Sequence, residues 1–166
     1  MARVMQMTVA TELDSDMNQI YMIDSGVGPG RANRRDDVML VQLLLKKAGV
    51  NSVTPDGLPF LHHSRLKIDG IFGPQTARFI EGFESSGALT RRLGQMQVVS
   101  DGGFDPLQPN GSVRSGASGF WYKIFAVNVL AKQNLGDDRY DHLINDPQTP
   151  PLLRGTLQNR GSFRSS

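Results

Sequence analysis

The stretch that most constrains this chain is Asp69-Gly70-Ile71-Phe72-Gly73-Pro74-Gln75-Thr76, which spells a turn followed at once by a helix start. Asp69-Gly70 reads as the turn, because an aspartate side chain accepts nearby backbone N–H bonds and glycine tolerates positive φ. Gly73-Pro74 then opens the helix, since the missing proline N–H costs nothing at the first helical position. Thr76, Phe79, Ile80 and Phe83 recur at i, i+3, i+4 and i+7, so this helix buries one stripe.

A second helix is written upstream, from Asn33 through Val38, Val41, Gln42 and Leu45 to Ala48-Gly49. Asn33 is the expected N-cap, and Asp36 and Asp37 fall in the first turn, where acidic groups suit the macrodipole. Val38, Val41, Leu45 and Ala48 keep helical spacing, and Gly49 stands where a left-handed residue ends a helix.

In order and register, these two segments resemble the peptidoglycan-binding domain family, small three-helix cell-wall modules attached to many murein hydrolases. Val38, Val41-Gln42, Leu45, Ala48 and Gly49 fall on the family's first-helix positions. Asp69-Gly70-Ile71-Phe72-Gly73, Thr76 and Phe83 match its turn and second helix, while Glu84 stands where glutamine is usual. The resemblance covers roughly residues 26 to 107. An internal echo supports it: Asp101-Gly102-Gly103-Phe104-Asp105-Pro106 repeats the first turn thirty-two residues later, as in the family's own two-fold repeat. Two departures stand out, a long link from Asn51 to Lys67 and a Gly- and Ser-rich loop from Leu107 to Gly119 before the third helix, and both bear on the ligand groove.

The resemblance implies a mainly α fold with a three-helix core, which the rest of the sequence elaborates with an N-terminal β-hairpin, long loops and an extended C-terminal arm. The expected organisation is an arm or hairpin over 1–25, the binding-domain-like unit over 26–145 and the extended arm over 146–166. It also implies a murein groove at Asp69, Phe72, Gln75, Thr76 and Arg78, with Arg78 meeting a peptide carboxylate. For Asp69, and for its echo Asp101, the residues themselves favour a role in holding the turn over one in acid/base chemistry.

Met5, Met7 and Val9 alternate with polar or small residues, and Ile20-Tyr21-Met22-Ile23 is a short apolar run, so two strands are expected. They form either a hairpin on their own domain or a strand added to another subunit. Phe120 to Leu130 is the most apolar segment and reads as the third helix, with a strand as the rival for its aromatic first half. Trp121 and Tyr122 serve either as core or as an interface anchor. Gly26-Val27-Gly28-Pro29-Gly30 lacks the Lys-Ser/Thr ending of a phosphate loop and reads as a hinge or turn.

A chain of 166 residues suits one domain and is too short for a binding module plus an ordinary hydrolase. It has no cysteine, hence no disulfide framework. The N-terminal residues lack the apolar core of a signal peptide and no apolar run reaches membrane-spanning length. Synthesis in the cytoplasm is the expectation, with incorporation into an extracellular particle or virion a further step. Residues 1 to 145 are neutral, with fifteen basic and fifteen acidic side chains, so the net charge of +2 comes from Arg154, Arg160 and Arg164 against Asp146. Three scattered arginines are a weak footprint for nucleic acid. With Pro147, Pro150 and Pro151 and a polar terminus, the tail reads as an arm that needs partner chains to become ordered. Its arginines, with Trp121 and Tyr122, are the interface candidates.

Catalytic motifs are missing: no Gly-x-Ser-x-Gly occurs, and His62, His63 and His142 lack metal-site spacing. His62 and His63 are expected on opposite faces of an extended chain. No catalytic residue, metal or cofactor is expected. The function implied is a non-catalytic peptidoglycan-binding-like component of a wall-contacting assembly, of phage-tail or contractile-injection type. The alternatives are a free-standing murein binder or the targeting subunit of a separate hydrolase.

Overall fold

The computed structural model describes residues 1–6, 17–54, 56, 58, 60–85, 97–108 and 120–158. Strands β1 (Arg3–Gln6) and β2 (Gln19–Met22) pair antiparallel with Arg3 opposite Met22 and Gln6 opposite Gln19. Among the described residues five α-helices follow: α1 (Arg35–Lys47), α2 (Pro74–Ser85), α3 (Lys123–Leu135), α4 (Asp137–Asp141) and α5 (Pro151–Gln158). Short 3-10 turns lie at His63–Arg65 and Leu143–Asn145. The mainly α character expected from the sequence is therefore present, with the N-terminal strand pair packed on its own chain.

Helix α1 is the centre. Its residues Val38 to Leu45 are all buried, because α2, α3, α5 and β2 each pack on it. Helix α3 is likewise apolar all round from Ile124 to Val127, which suits a helix enclosed on every side. Phe79, Ile80 and Phe83 share one core with Val38, Val41 and Leu45, with half-buried Phe72 packed against it. Gly49 ends α1 in the left-handed region, at φ 72°.

Three expectations are corrected. Asn33 is not the N-cap of α1; Arg34 holds that position without a side-chain bond. Instead Asn33 sits at φ 49°, its amide bonding the Gly28 N–H and C=O at 2.8 and 2.9 Å, and it closes the glycine-rich turn. The third helix begins at Lys123, later than Phe120, because the Trp121 N–H pairs with the Gln97 carbonyl at 2.9 Å and keeps that stretch extended.

The largest correction is the C-terminal segment, which is not an extended arm as far as Gln158. Lys47 Nζ bonds Asp146 at 2.7 Å and Gln148 at 2.9 Å, the Thr149 hydroxyl donates to the Leu143 carbonyl, and α5 then buries Leu153 and Leu157. Two leucines four residues apart give a short helix enough apolar area to dock on α1 and β1. The N-terminus is tied down too, with the Met1 ammonium 2.6 Å from Asp24 and the Ala2 N–H donating to Asp36.

Helix α3 also closes the free edge of β2. Asn128 accepts the Tyr21 N–H at 2.8 Å and donates to the Tyr21 carbonyl at 2.9 Å, as a neighbouring strand would. The Tyr140 hydroxyl donates to the same Asn128 oxygen, and Tyr21 Oη donates to the Tyr140 carbonyl at 2.9 Å. This buried network satisfies an edge that would otherwise be open to pairing.

Candidate functional site

The two Asp-Gly turns are built alike. In the first, Gly70 takes φ 75° and Asp69 Oδ1 accepts the Ile71 N–H at 2.9 Å. From α1, Gln42 Oε1 accepts the Asp69 and Gly70 N–H groups at 3.1 and 3.0 Å, while its Nε2 donates to Asp69 at 3.0 Å and Thr76 Oγ1 at 2.9 Å. In the second, Gly102 takes φ 74°, Asp101 Oδ1 accepts the Gly103 N–H at 3.1 Å, and Glu84 from α2 accepts the Gly102 N–H at 3.0 Å.

The copies differ in the donor. Where Gln42 supplies its own NH₂, Glu84 has none, and Lys123 from the start of α3 donates to Glu84 Oε1 at 2.5 Å and to Asp101. Arg31 then joins Asp101 at 2.8 Å to Asp105 at 2.9 Å. Burial works against the Asp101 charge, but Lys123, the Gly103 N–H and Arg31 outweigh it and hold the carboxyl below its usual range. The glutamate that stands where the first turn has Gln42 is thus matched by a buried lysine.

Of the five residues implied for a murein groove, Asp69 and Thr76 are occupied by the Gln42 network and Phe72 leans on the core. Gln75 is half-buried and spans the Asn51–Lys67 link, accepting from the Lys67 N–H at 3.2 Å and donating to the Arg65 carbonyl. Arg78 is exposed, with its guanidinium 5.4 Å from the ring centroid of exposed Phe60. That link folds back on itself, Ser52 N–H to Leu61 carbonyl and Phe60 N–H to Ser52 carbonyl, and so brings Phe60 against α2. Ile71 is 66 % exposed at the tip of the first turn.

Among the interface candidates, Trp121 is buried and stacked on Phe125 with centroids 5.3 Å apart, whereas Tyr122 is half-buried at the start of α3. Phe120, Trp121 and Tyr122 with Val99, Asp101, Asp105 and Lys123 line a pocket of about 170 Å³ beside the second turn. Arg154 is half-buried and donates to the Asp146 and Thr149 carbonyls, so it braces the turn before α5. Arg160 and Arg164 lie outside the described residues, as do Met7 to Val9 and most of the Leu107–Gly119 loop.

His62 and His63 depart from the opposite-face expectation. Because the chain passes from extended into the 3-10 turn between them, their ring centroids lie 3.8 Å apart, with the planes tilted by 40°. Among the described residues no three His, Asp or Glu side chains converge as a metal site would require, and no helix is long and apolar enough to cross a membrane.

Two residues of the site carry signals of a less direct kind. Gln42 belongs to the first-helix pattern, yet a glutamine amid buried aliphatics needs partners. Lys123 was signalled by Glu84, since a carboxylate in place of an amide calls for a cation. No protein-family model, curated protein or solved structure matches the chain.

Proposed function

We propose that this chain is a non-catalytic, peptidoglycan-binding-like module that meets a cell wall through the face around its first Asp-Gly turn. The observation that carries the reading is the repeated turn: two Asp-Gly loops, each gripped by a polar side chain of the preceding helix, in the order the family resemblance implies. Around the first of them, Ile71, Phe60, Gln75 and Arg78 offer apolar surface, an amide and a cation, the groups suited to a sugar ring and the carboxylate of a stem peptide.

Membership of a larger assembly, of phage-tail or contractile-injection type, belongs to the same proposal in changed form. Residues 1–6 and 146–158 pack on their own core, so partner chains are not needed to order them, and attachment would run through the body of the module.

Co-sedimentation with purified murein sacculi tests the reading. The protein should pellet with sacculi in the presence of a strong chelator and release no muropeptides. Arg78→Ala should weaken binding about tenfold, a loss of ~1.4 kcal/mol, with no change in melting temperature. A wild-type protein that stays in the supernatant, or an Arg78→Ala protein that pellets equally well, would overturn murein recognition at this face. Stoichiometric co-purification with a particle, without sacculus binding, would instead favour the assembly role.

A further inference from the structure

We propose that the pocket beside the second Asp-Gly turn binds a primary ammonium group on a short apolar stem, the chemistry of a lysine side chain or a free alkyl diamine. This site is separate from the face around the first turn and does not depend on murein recognition.

The pocket has the size and lining for such a group. Its volume of about 170 Å³ is walled by Phe120, Trp121, Tyr122 and Val99, which suit an alkyl stem. The walls are held in place: the Trp121 N–H is fixed on the Gln97 carbonyl, its ring stacks on Phe125 at an interplanar angle of 14°, and the Tyr122 carbonyl accepts the Phe125 and Ala126 N–H groups of the first turn of α3. Aromatic faces favour a cation over a neutral group of equal size.

The charge is arranged asymmetrically. Among the described residues, Glu84, Asp101 and Asp105 face Arg31 and Lys123, three negative charges against two positive. The two cations are turned inward, with side chains 19 % and 5 % exposed for Arg31 and Lys123. Asp101 and Asp105 are turned outward, at 38 % and 50 %. Among the described residues, the accessible charge in the pocket is therefore carboxylate. Since Asp101 is held below its usual range, it stays ionised throughout the neutral region. An entering ammonium meets two carboxylates without displacing the buried lysine or arginine. An entering anion meets repulsion.

Trp121 is the only tryptophan of the chain and sits in the pocket wall, so intrinsic fluorescence reports occupancy directly. The intact protein is titrated with Nα-acetyl-lysine amide, with cadaverine and with Nα-acetyl-norleucine amide, and amide shifts of residues 120–123 are followed by NMR. Either cation should give saturable changes with a dissociation constant on the order of 1 mM, and norleucine amide should give none. Response to the lysine amide points to a peptide side chain as the natural source; response to cadaverine alone points to a free diamine. Asp105→Asn should weaken binding about tenfold. Because that substitution also loosens the Arg31 pairing, Val99→Lys serves as the second variant. Val99 is exposed on the pocket rim, and a lysine there brings a competing ammonium; binding should be lost with the melting temperature unchanged. An equal response to norleucine amide, no response to either cation, or full affinity in Val99→Lys would each overturn the proposal.

Discussion

Gln42 uses both ends of its amide on one turn, accepting from two backbone N–H groups and donating to Asp69 and Thr76. A charge at this position would keep the acceptor but lose the donor and place two carboxylates side by side. Gln42→Glu should therefore destabilise by about 1–3 kcal/mol in denaturant unfolding, the cost of buried polar groups left unsatisfied. The second turn tolerates a glutamate only because Lys123 stands opposite it. Asn128 is the other residue on which much depends. Asn128→Leu would remove the partner of the Tyr21 N–H and carbonyl and the shorter of two Tyr140 hydroxyl bonds, and should cost about 3 kcal/mol or more. Native-state hydrogen exchange at Tyr21 should accelerate in that variant; an unchanged rate would remove Asn128 from its role as an edge partner.

At the scale of elements, α5 is the informative case. Its leucines at 153 and 157 lie four apart and share a face, yet eight residues alone make a marginal helix. What stabilises it is docking. Leu157→Ala should cost about 2–5 kcal/mol, as for other buried leucines. Removal of residues 146–166 should lower stability by at least as much, a reversal of the expectation for a free arm. Thermal unfolding of the truncated chain checks this: an unchanged midpoint would mean that α5 contributes nothing to the core. Helix α2, by contrast, carries its own start signal in Gly73-Pro74 and its own apolar stripe, and begins at Pro74 as the sequence implies.

For the whole molecule, one apolar cluster runs from Ala2 to Leu157, and most ionic contacts at its margin tie distant segments together. Burial works against the Asp146 charge, but Lys47 and the Gln148 N–H outweigh it and hold the carboxyl low. Asp101 behaves alike. A carboxyl held low in the folded state stabilises above the ordinary value of about 3.9 and loses that contribution as pH falls through its folded value. Asp37 has the opposite sign, because burial between Ser25 and α1 raises it; its cost at neutral pH is relieved on acidification. Stability should hold or rise slightly toward the mildly acidic range and fall below about pH 4, and Asp146→Asn should flatten that fall while lowering stability at pH 7. A slope unchanged in the variant would detach Asp146 from acid unfolding. Local signals in the sequence determined the two Asp-Gly turns, the starts of α1 and α2 to within a residue or two, the Gly49 stop, and the apolar stripes that meet in the core. These are short-range matters of backbone conformation and periodicity. Only the tertiary structure decided that Asn33 closes a turn instead of capping a helix, that Asn128 completes a sheet edge 107 residues away, and that a polar, proline-rich tail forms a docked helix. Each depends on which partner lies across the fold, and the free energy of burying a group is set by that partner, not by the group's neighbours in the chain.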